Sequence, residues 1–402
     1  MKILLLVDCY LPSTKSSAKL IHDLALEIRD QGHQPIVVAP DDSLESDSSI
    51  RDEDGVTIVR VRTGRIKGAS LPVRAIHETR LSSVIWKRAR SFFESHPCDL
   101  VAYYSPSIFF GALVRRLKRL WGCSTYLILR DIFPQWALDA GVLRPGPVYW
   151  FFRRKELLQY DAADVIGVQS PANLKYFEAG KGGGPRELEV LFNWTVPFAP
   201  RSTGAERSRL GLEGKTVFFY GGNIGVAQDM DNLLRLAARL GDEPSVHFLF
   251  VGDGSEVERL KCATVEQQLD NVTFHAGVDQ ERYLAMVAEF DVGLLSLDRK
   301  LATQNFPGKM LSYMQASLPI LASVNPGNDL RQVVESAEAG LVTWNGEDDR
   351  LAANARRLAR DPELRRSMGL EARRLLEQTF LVSRAAKQLL SHARPGPDQL
   401  TR

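Results

Sequence analysis

Cysteine is scarce and scattered. Cys9, Cys98, Cys123 and Cys262 form no CxxC pair and have no histidines at ligand spacing, which argues against a disulfide framework or a zinc site and fits a reducing compartment. Long hydrophobic runs are missing too. No apolar stretch approaches the ~20 residues a membrane span needs, and Asp8 interrupts the run Ile3–Val7, so the N-terminus reads as a first strand and not as a signal peptide. Neither sign of charge dominates: the 402 residues carry a formal net charge of +2, which by itself implies no polyanionic partner. These absences together predict a cytoplasmic protein. At this length two domains are the default.

What is present is a repeated strand-turn-helix pattern. Lys2–Asp8 is a buried-type strand, followed by a polar loop. Leu20, Ile21, Leu24, Ala25 and Ile28 fall at helical spacing up to Gly32, and Ile36–Ala39 is the next strand. That opening predicts a doubly wound sheet, whose ligands bind at the carboxyl ends of the strands. Lys15, Ser16 and Ser17 sit at such an end, as substrate contacts or simply as a solvated loop with helix caps. Leu100–Tyr104 and Tyr126–Leu129 are further strands, ending in Tyr104-Ser105 and Arg130-Asp131 at the same edge. Asp41–Asp54 is acidic and serine-rich and reads as an exposed loop. Gly180–Pro185 lacks the flanking strand of a dinucleotide fingerprint.

The near-neutral total hides a basic segment. From Val56 to Tyr160 there are 18 Lys and Arg against 6 Asp and Glu. The cations stand beside aromatics: Trp86-Lys87-Arg88 with Phe92-Phe93, Arg115-Arg116 and Lys118-Arg119 with Trp121, and Tyr149–Phe152 before Arg153-Arg154-Lys155. Such a pattern predicts a face resting on an anionic membrane. Core aromatics with merely exposed charges would read the same way. No nucleic-acid motif accompanies the charge, and no nucleic-acid partner is expected.

The second half restarts the pattern after the proline-bearing stretch that begins at Pro197. Thr216–Tyr220 is a strand, Gly221-Gly222-Asn223-Ile224-Gly225 a glycine-rich turn ahead of Gln228, and Phe248–Val251 enters Gly252-Asp253-Gly254. Asn271–His275 ends at Gly277-Val278. Asp291–Leu297 gives way to a turn, Asn305-Phe306-Pro307-Gly308-Lys309, then a helix and a second apolar run, Ile320–Val324. A lysine and free amides at such a turn suit a phosphate; an ordinary turn with a solvated lysine fits that stretch equally. Glycine-bearing turns after successive strands at one sheet edge favour a nucleotide-binding edge.

These pieces, in this order, resemble the GT-B glycosyltransferases, specifically retaining family 4: RDIFP, LFNW, FFYGGNIG, FLFVGDG, NVTFHAGV, FDVGLLSL, PGKMLSYMQASLPILAS and RDPELRRSMG. Within that family LILRDIFPQWALDAG, YGGNIGVAQDMDNL and NFPGKMLSYM are most similar to bacterial O-antigen and capsule transferases of the L-fucosamine type. The resemblance implies two Rossmann-like domains facing each other across a cleft. Residues 1–195 would form an acceptor and membrane-side domain, joined by a C-terminal helix in 381–402, and 196–380 a nucleotide-sugar domain. It implies donor contacts at Gly221, Gly222, Asn223, Ile224, Gly225, Gln228, Asp253, Gly277, Val278, Gln304, Asn305, Phe306, Pro307, Gly308, Lys309 and Ser312. Acceptor contacts would come from Lys15, Ser16, Ser17, Tyr104 and Ser105, with Lys309, Asp131 and Arg130 serving catalysis.

The departures from that family are specific. Two glutamates eight residues apart are usual where Gln304 and Ser312 stand; the first contacts the donor sugar and the second the ribose. The loop after Tyr220 offers Asn223 and Gln228 where Arg and Lys are common. Ser16-Ser17 replaces Gly-Gly, and Tyr104 and Arg130 stand where histidines often occur. The expected activity is retaining transfer of a sugar from a UDP-linked donor to a lipid-linked saccharide, without a metal or other cofactor, at the inner face of the cytoplasmic membrane. A non-catalytic GT-B scaffold that binds a membrane and a partner enzyme is the alternative.

Overall fold

The apolar runs pair as parallel strands in two sheets. The structure, a computed structural model, describes residues 1–13, 15–64, 71–139, 141–181, 186–198, 202, 204–301 and 306–394. The chain divides into two units, Met1–Val196 with Val382–Arg402, and Pro197–Leu381.

In the first unit the strands are β1 (Lys2–Leu6), β2 (Gln34–Asp41), β3 (Ser48–Glu53), β4 (Val56–Arg62), β5 (Leu100–Tyr104), β6 (Ser124–Leu129), β7 (Val165–Val168) and β8 (Glu187–Val190), in the order β3-β4-β2-β1-β5-β6-β7-β8. All pairs are parallel except β3 on β4. Alternate side chains of each strand go to opposite faces. Leu4 and Leu6 join one core with Ile85, Leu113, Leu117 and Tyr160, from the helices Leu71–Ser95, Gly111–Trp121 and Pro147–Tyr160. Ile3 and Leu5 join the other, with Ile21 and Leu24 of helix Ser16–Asp30 and Ala386 and Leu389 of helix Val382–Leu390. The C-terminal helix thus belongs to the first unit.

The second unit holds β9 (Thr216–Gly221), β10 (Val246–Val251), β11 (Val272–His275), β12 (Val292–Ser296), β13 (Ile320–Val324) and β14 (Gly340–Trp344). The sheet is wholly parallel, in the order β11-β10-β9-β12-β13-β14. Every residue of β9, β12 and β13 is buried, as central parallel strands covered on both faces must be.

Two expectations change. The segment 41–54 is exposed, yet Ser48–Glu53 is an edge strand antiparallel to β4. Its turn is Asp54-Gly55, both with positive φ (54° and 74°), the residue pair such a hairpin prefers. The aromatics of the basic segment also divide. Phe92, Phe93 and Trp121 are core, with Trp121 Nε1 donating to Phe93 O at 2.8 Å. Trp150 and Phe151 are 64% and 41% exposed.

Candidate functional site

In the second unit the strand-end turns are stitched to one another. Gly222 N donates to Val251 O and Ile224 N to Asp253 O, both at 2.9 Å. The turns after β9 and β10 meet so closely that a Cβ at Gly252 would lie 1.9 Å from Gly222 O, and one at Gly254 2.0 Å from Ile224 O. Asp253 Oδ1 accepts from Gly277 N at 3.3 Å and so reaches the turn after β11. Gln228 Oε1 accepts from Asn223 Nδ2 at 2.9 Å and from Gly225 N at 3.1 Å. The amides of Gly222, Ile224 and Gly225 are therefore spent within the turns. Those of Met310 and Leu311 are likewise spent, on Pro307 O and Gly308 O. A cradle of free amides, expected here for phosphate, is largely used up.

A lysine stands over these turns. Lys309 opens the short helix Lys309–Gln315 and sends its side chain back over β9. Its Nζ stands 3.6 Å from the centroid of the Tyr220 ring. Its Cε is close enough to the Gly222 turn that a Cβ there would come within 3.4 Å. The residue is half-buried among these turns, and desolvation by burial pushes its pKa down to about 7. Among the described residues no carboxylate or hydrogen-bond acceptor meets it. A ring face returns about 2 kcal/mol or more to a desolvated cation, against the several that burying an ammonium costs. An anion at this point would be strongly favoured.

The frame around Lys309 is rigid. Tyr220 OH donates to Asn223 O at 2.6 Å. Tyr313 OH accepts from Gly221 N at 3.1 Å and donates to Leu294 O at 3.2 Å, and Ser312 bonds the Tyr283 phenol. These three tyrosines were missed by the sequence reading. Tyr220 ends a recognised strand and Tyr313 lies four residues past Lys309, so their positions were the available signal. Other expected contacts are placed differently. Ile224 and Phe306 are core side chains, Phe306 packing against Phe380 with ring centroids 6.4 Å apart, so only their backbone is left for a ligand. Gly308 has helical φ and ψ (−57°, −27°), with nothing within 4 Å of a built Cβ. Its backbone therefore makes no demand for glycine, and the space beside it is open. Pro307 and Val278 are half-buried at the same edge, while Gln304 and Asn305 lie outside the described residues.

In the first unit Arg130 is a structural cation. Its guanidinium donates to Leu191 O and to Phe192 O (3.3 Å) and lies 4.8 Å over the Trp194 ring, while its Nε is buried without a partner among the described residues. Tyr104 bonds this arginine, and burial raises its pKa to about 12. Ser105 is fully buried, its hydroxyl donating to Asp131 O at 3.2 Å. Asp131 forms no ion pair among the described residues. Its carboxyl is held above the usual range by desolvation, partly offset by Arg130, with Asp8 adding to the rise. Asp8, whose Oδ1 is buried without a partner, was not anticipated as a site residue. Lys15 and Ser16 are exposed, and Ser17 Oγ lies 3.3 Å from Cys9 Sγ.

Comparison with known proteins fits this geometry. Residues 203–375 match the family model for glycosyl transferases group 1, and residues 17–194 the glycosyl transferase 4-like domain. The chain is 28% identical over 288 residues to the probable glycosyltransferase WbjE of Pseudomonas aeruginosa, spanning 69% of this chain and 70% of that one. It is 26% identical to the putative colanic acid biosynthesis glycosyl transferase WcaI of Escherichia coli, over 59% of this chain and 60% of that protein's length. Anabaena HepE, solved in complex with UDP, shares the fold with a TM-score of 0.68 at 17% identity, over 97% of this chain and 99% of that one. With one glycosyltransferase model matched in each half and the two Rossmann-like units behind them, the chain belongs to the GT-B glycosyltransferases of family 4.

Proposed function

We propose that this enzyme moves an N-acetylated aminosugar of the L-FucNAc type, with retention, from a UDP-linked donor to a lipid-linked saccharide in O-antigen or capsule synthesis. The observation that carries the reading is Lys309: a desolvated cation with no carboxylate partner among the described residues, standing over Tyr220 beside the Gly222 turn. The diphosphate of a nucleotide sugar supplies the missing charge. The UDP-bound state of HepE supports the choice of nucleotide, and the naming of WcaI supports the polysaccharide context. The sequence resemblance to fucosamine-type transferases supports the sugar.

In this scheme the bond from the anomeric carbon to the diphosphate breaks as the acceptor oxygen bonds to the same face. The acceptor proton passes to the leaving diphosphate. Lys309 holds the charge that develops on that diphosphate, where a preorganised cation acts most strongly. In the first unit, Asp131 is the carboxylate proposed to orient the acceptor hydroxyl. No divalent metal takes part in this scheme, so activity is expected to survive EDTA. The scaffold alternative gives no purpose to a desolvated lysine that meets no carboxylate among the described residues.

The test is transfer by Lys309→Met, with UDP release measured across a panel of UDP-aminosugars and a GDP-sugar control. The variant should turn over more than tenfold more slowly, at the roughly 1.5–3 kcal/mol of a charged hydrogen bond. Unchanged turnover and donor affinity would sink the assignment.

A further inference from the structure

Two helices on one face of the first unit's sheet enclose a second anion-seeking feature. A surface pocket of about 210 Å³ is lined by Ser82, Ser83, Leu113, Arg115, Arg116 and Arg119. The pocket lies where helix Gly111–Trp121 packs against helix Leu71–Ser95. The three guanidiniums are exposed, and none has a carboxylate partner among the described residues. Two are oriented: Arg116 lies 5.3 Å over the Trp86 ring, and Arg119 Nε donates to Arg115 O at 3.3 Å. Lys118, on the same helix, is different. It is tied to Asp164 and plays no part in the pocket. Three like charges around one concavity repel one another, and among the described residues no carboxylate offsets them. Ser82 is buried and its hydroxyl already donates to Phe109 O, but Ser83 is exposed, and guanidiniums with a nearby serine hydroxyl are the donor set that recognises a phosphate.

The same layer offers a reason to name the source of that phosphate. Helix Pro147–Tyr160 packs on helix Gly111–Trp121. At its start, Val148, Trp150 and Phe151 are exposed, with Val142 70% exposed just before it. Lys155 Nζ sits 5.6 Å over the Phe151 ring, and Arg154 is exposed beside it. Exposed Trp, Phe and Val flanked by cations form the composition of a surface seated at a lipid interface.

We infer that the Arg115–Arg116–Arg119 pocket binds the phosphate of an anionic lipid headgroup, seating this helical layer on the bilayer while Trp150 and Phe151 enter its interface. The inference rests on the membrane-associated part of the proposed function, and not on donor binding.

The experiment measures partition of the full chain onto phosphatidylcholine vesicles with and without phosphatidylglycerol, at low salt. Two variants of equal charge are compared: Arg115→Gln/Arg116→Gln/Arg119→Gln, and the control Arg80→Gln/Lys87→Gln/Arg154→Gln from the same layer. UDP binding serves as the folding check for both. Wild type should prefer the anionic vesicles. Loss of three charges lowers diffuse attraction by about a hundredfold in either variant; the pocket variant should lose roughly tenfold more than the control, and excess glycerol 1-phosphate should compete with wild type only. Equal losses in the two variants would overturn the pocket and leave diffuse membrane attraction standing. No binding of wild type to anionic vesicles would overturn the membrane reading itself. Glycerol phosphate or an RNA oligomer bound without any vesicle affinity would reassign the pocket to a soluble ligand.

Discussion

Lys309 decides most at the scale of single residues. A pKa near 7 against the ordinary 10.5 amounts to roughly 5 kcal/mol between the charged and neutral forms. That difference makes the lysine a burden on the empty protein. Between pH 7 and 10.5 the unfolded chain keeps this proton while the folded chain gives it up. The penalty is therefore complete below pH 7, and stability rises as pH climbs through that window. Lys309→Met, by removing that penalty, should then raise the melting temperature at pH 6.5 by about 10–20 °C, at about 2–4 °C per kcal/mol for units of this size. The gain should shrink toward pH 10. A variant that melts lower at pH 6.5 would mean that the ammonium already has a stabilising partner. The lysine was legible in the sequence as a cation in a phosphate-suited turn; its desolvation was not. That depends on Tyr220, 89 positions earlier, which only pairing in the sheet brings beneath it. Arg130 shows the converse. Its place at a strand end made it a site candidate, but the carbonyls of Leu191 and Phe192 and the ring of Trp194 had prior claim.

The elements that hold the site are the strand-end turns, and their glycines act by close approach. Gly254→Ala places a methyl 2.0 Å from the Ile224 carbonyl, and neither backbone can yield without breaking the Ile224–Asp253 hydrogen bond. The substitution should cost about 1–3 kcal/mol and weaken UDP binding together with stability. Thermal melts and calorimetry on one preparation check both; loss of stability with intact UDP affinity would detach this turn from the donor. Buried parallel strands were easy to read because they are continuous apolar runs: Val165–Val168 and Ile320–Val324 have the bounds expected of them. The edge strand Ser48–Glu53 was missed because its residues are exposed and polar. The Asp54-Gly55 pair before the alternating run VTIVRVR was the usable signal. Aromatic residues in the basic segment misled for a related reason. A helix buries one face only, and adjacency to Lys or Arg in sequence does not say which face Trp121 or Trp150 will take.

For the whole molecule, the doubled strand-turn-helix pattern announced two Rossmann-like units, and the C-terminal return to the first unit followed from the resemblance. The amide cradle did not survive assembly, since packing the turns against each other consumes the amides they were expected to present. That loss concentrates the account on a single cation, and proton linkage tests it most directly. Near pH 8 the free enzyme holds Lys309 mostly neutral, while the terminal phosphate of UDP, with a second pKa of about 6, is fully ionised. Binding the diphosphate should restore the lysine's proton. Calorimetry of UDP binding in buffers of different ionisation enthalpy should therefore report uptake of about 0.9 proton per UDP by wild type, and almost none by Lys309→Met. Binding without proton uptake, or with the same uptake in both proteins, would contradict the claim that Lys309 holds the donor diphosphate.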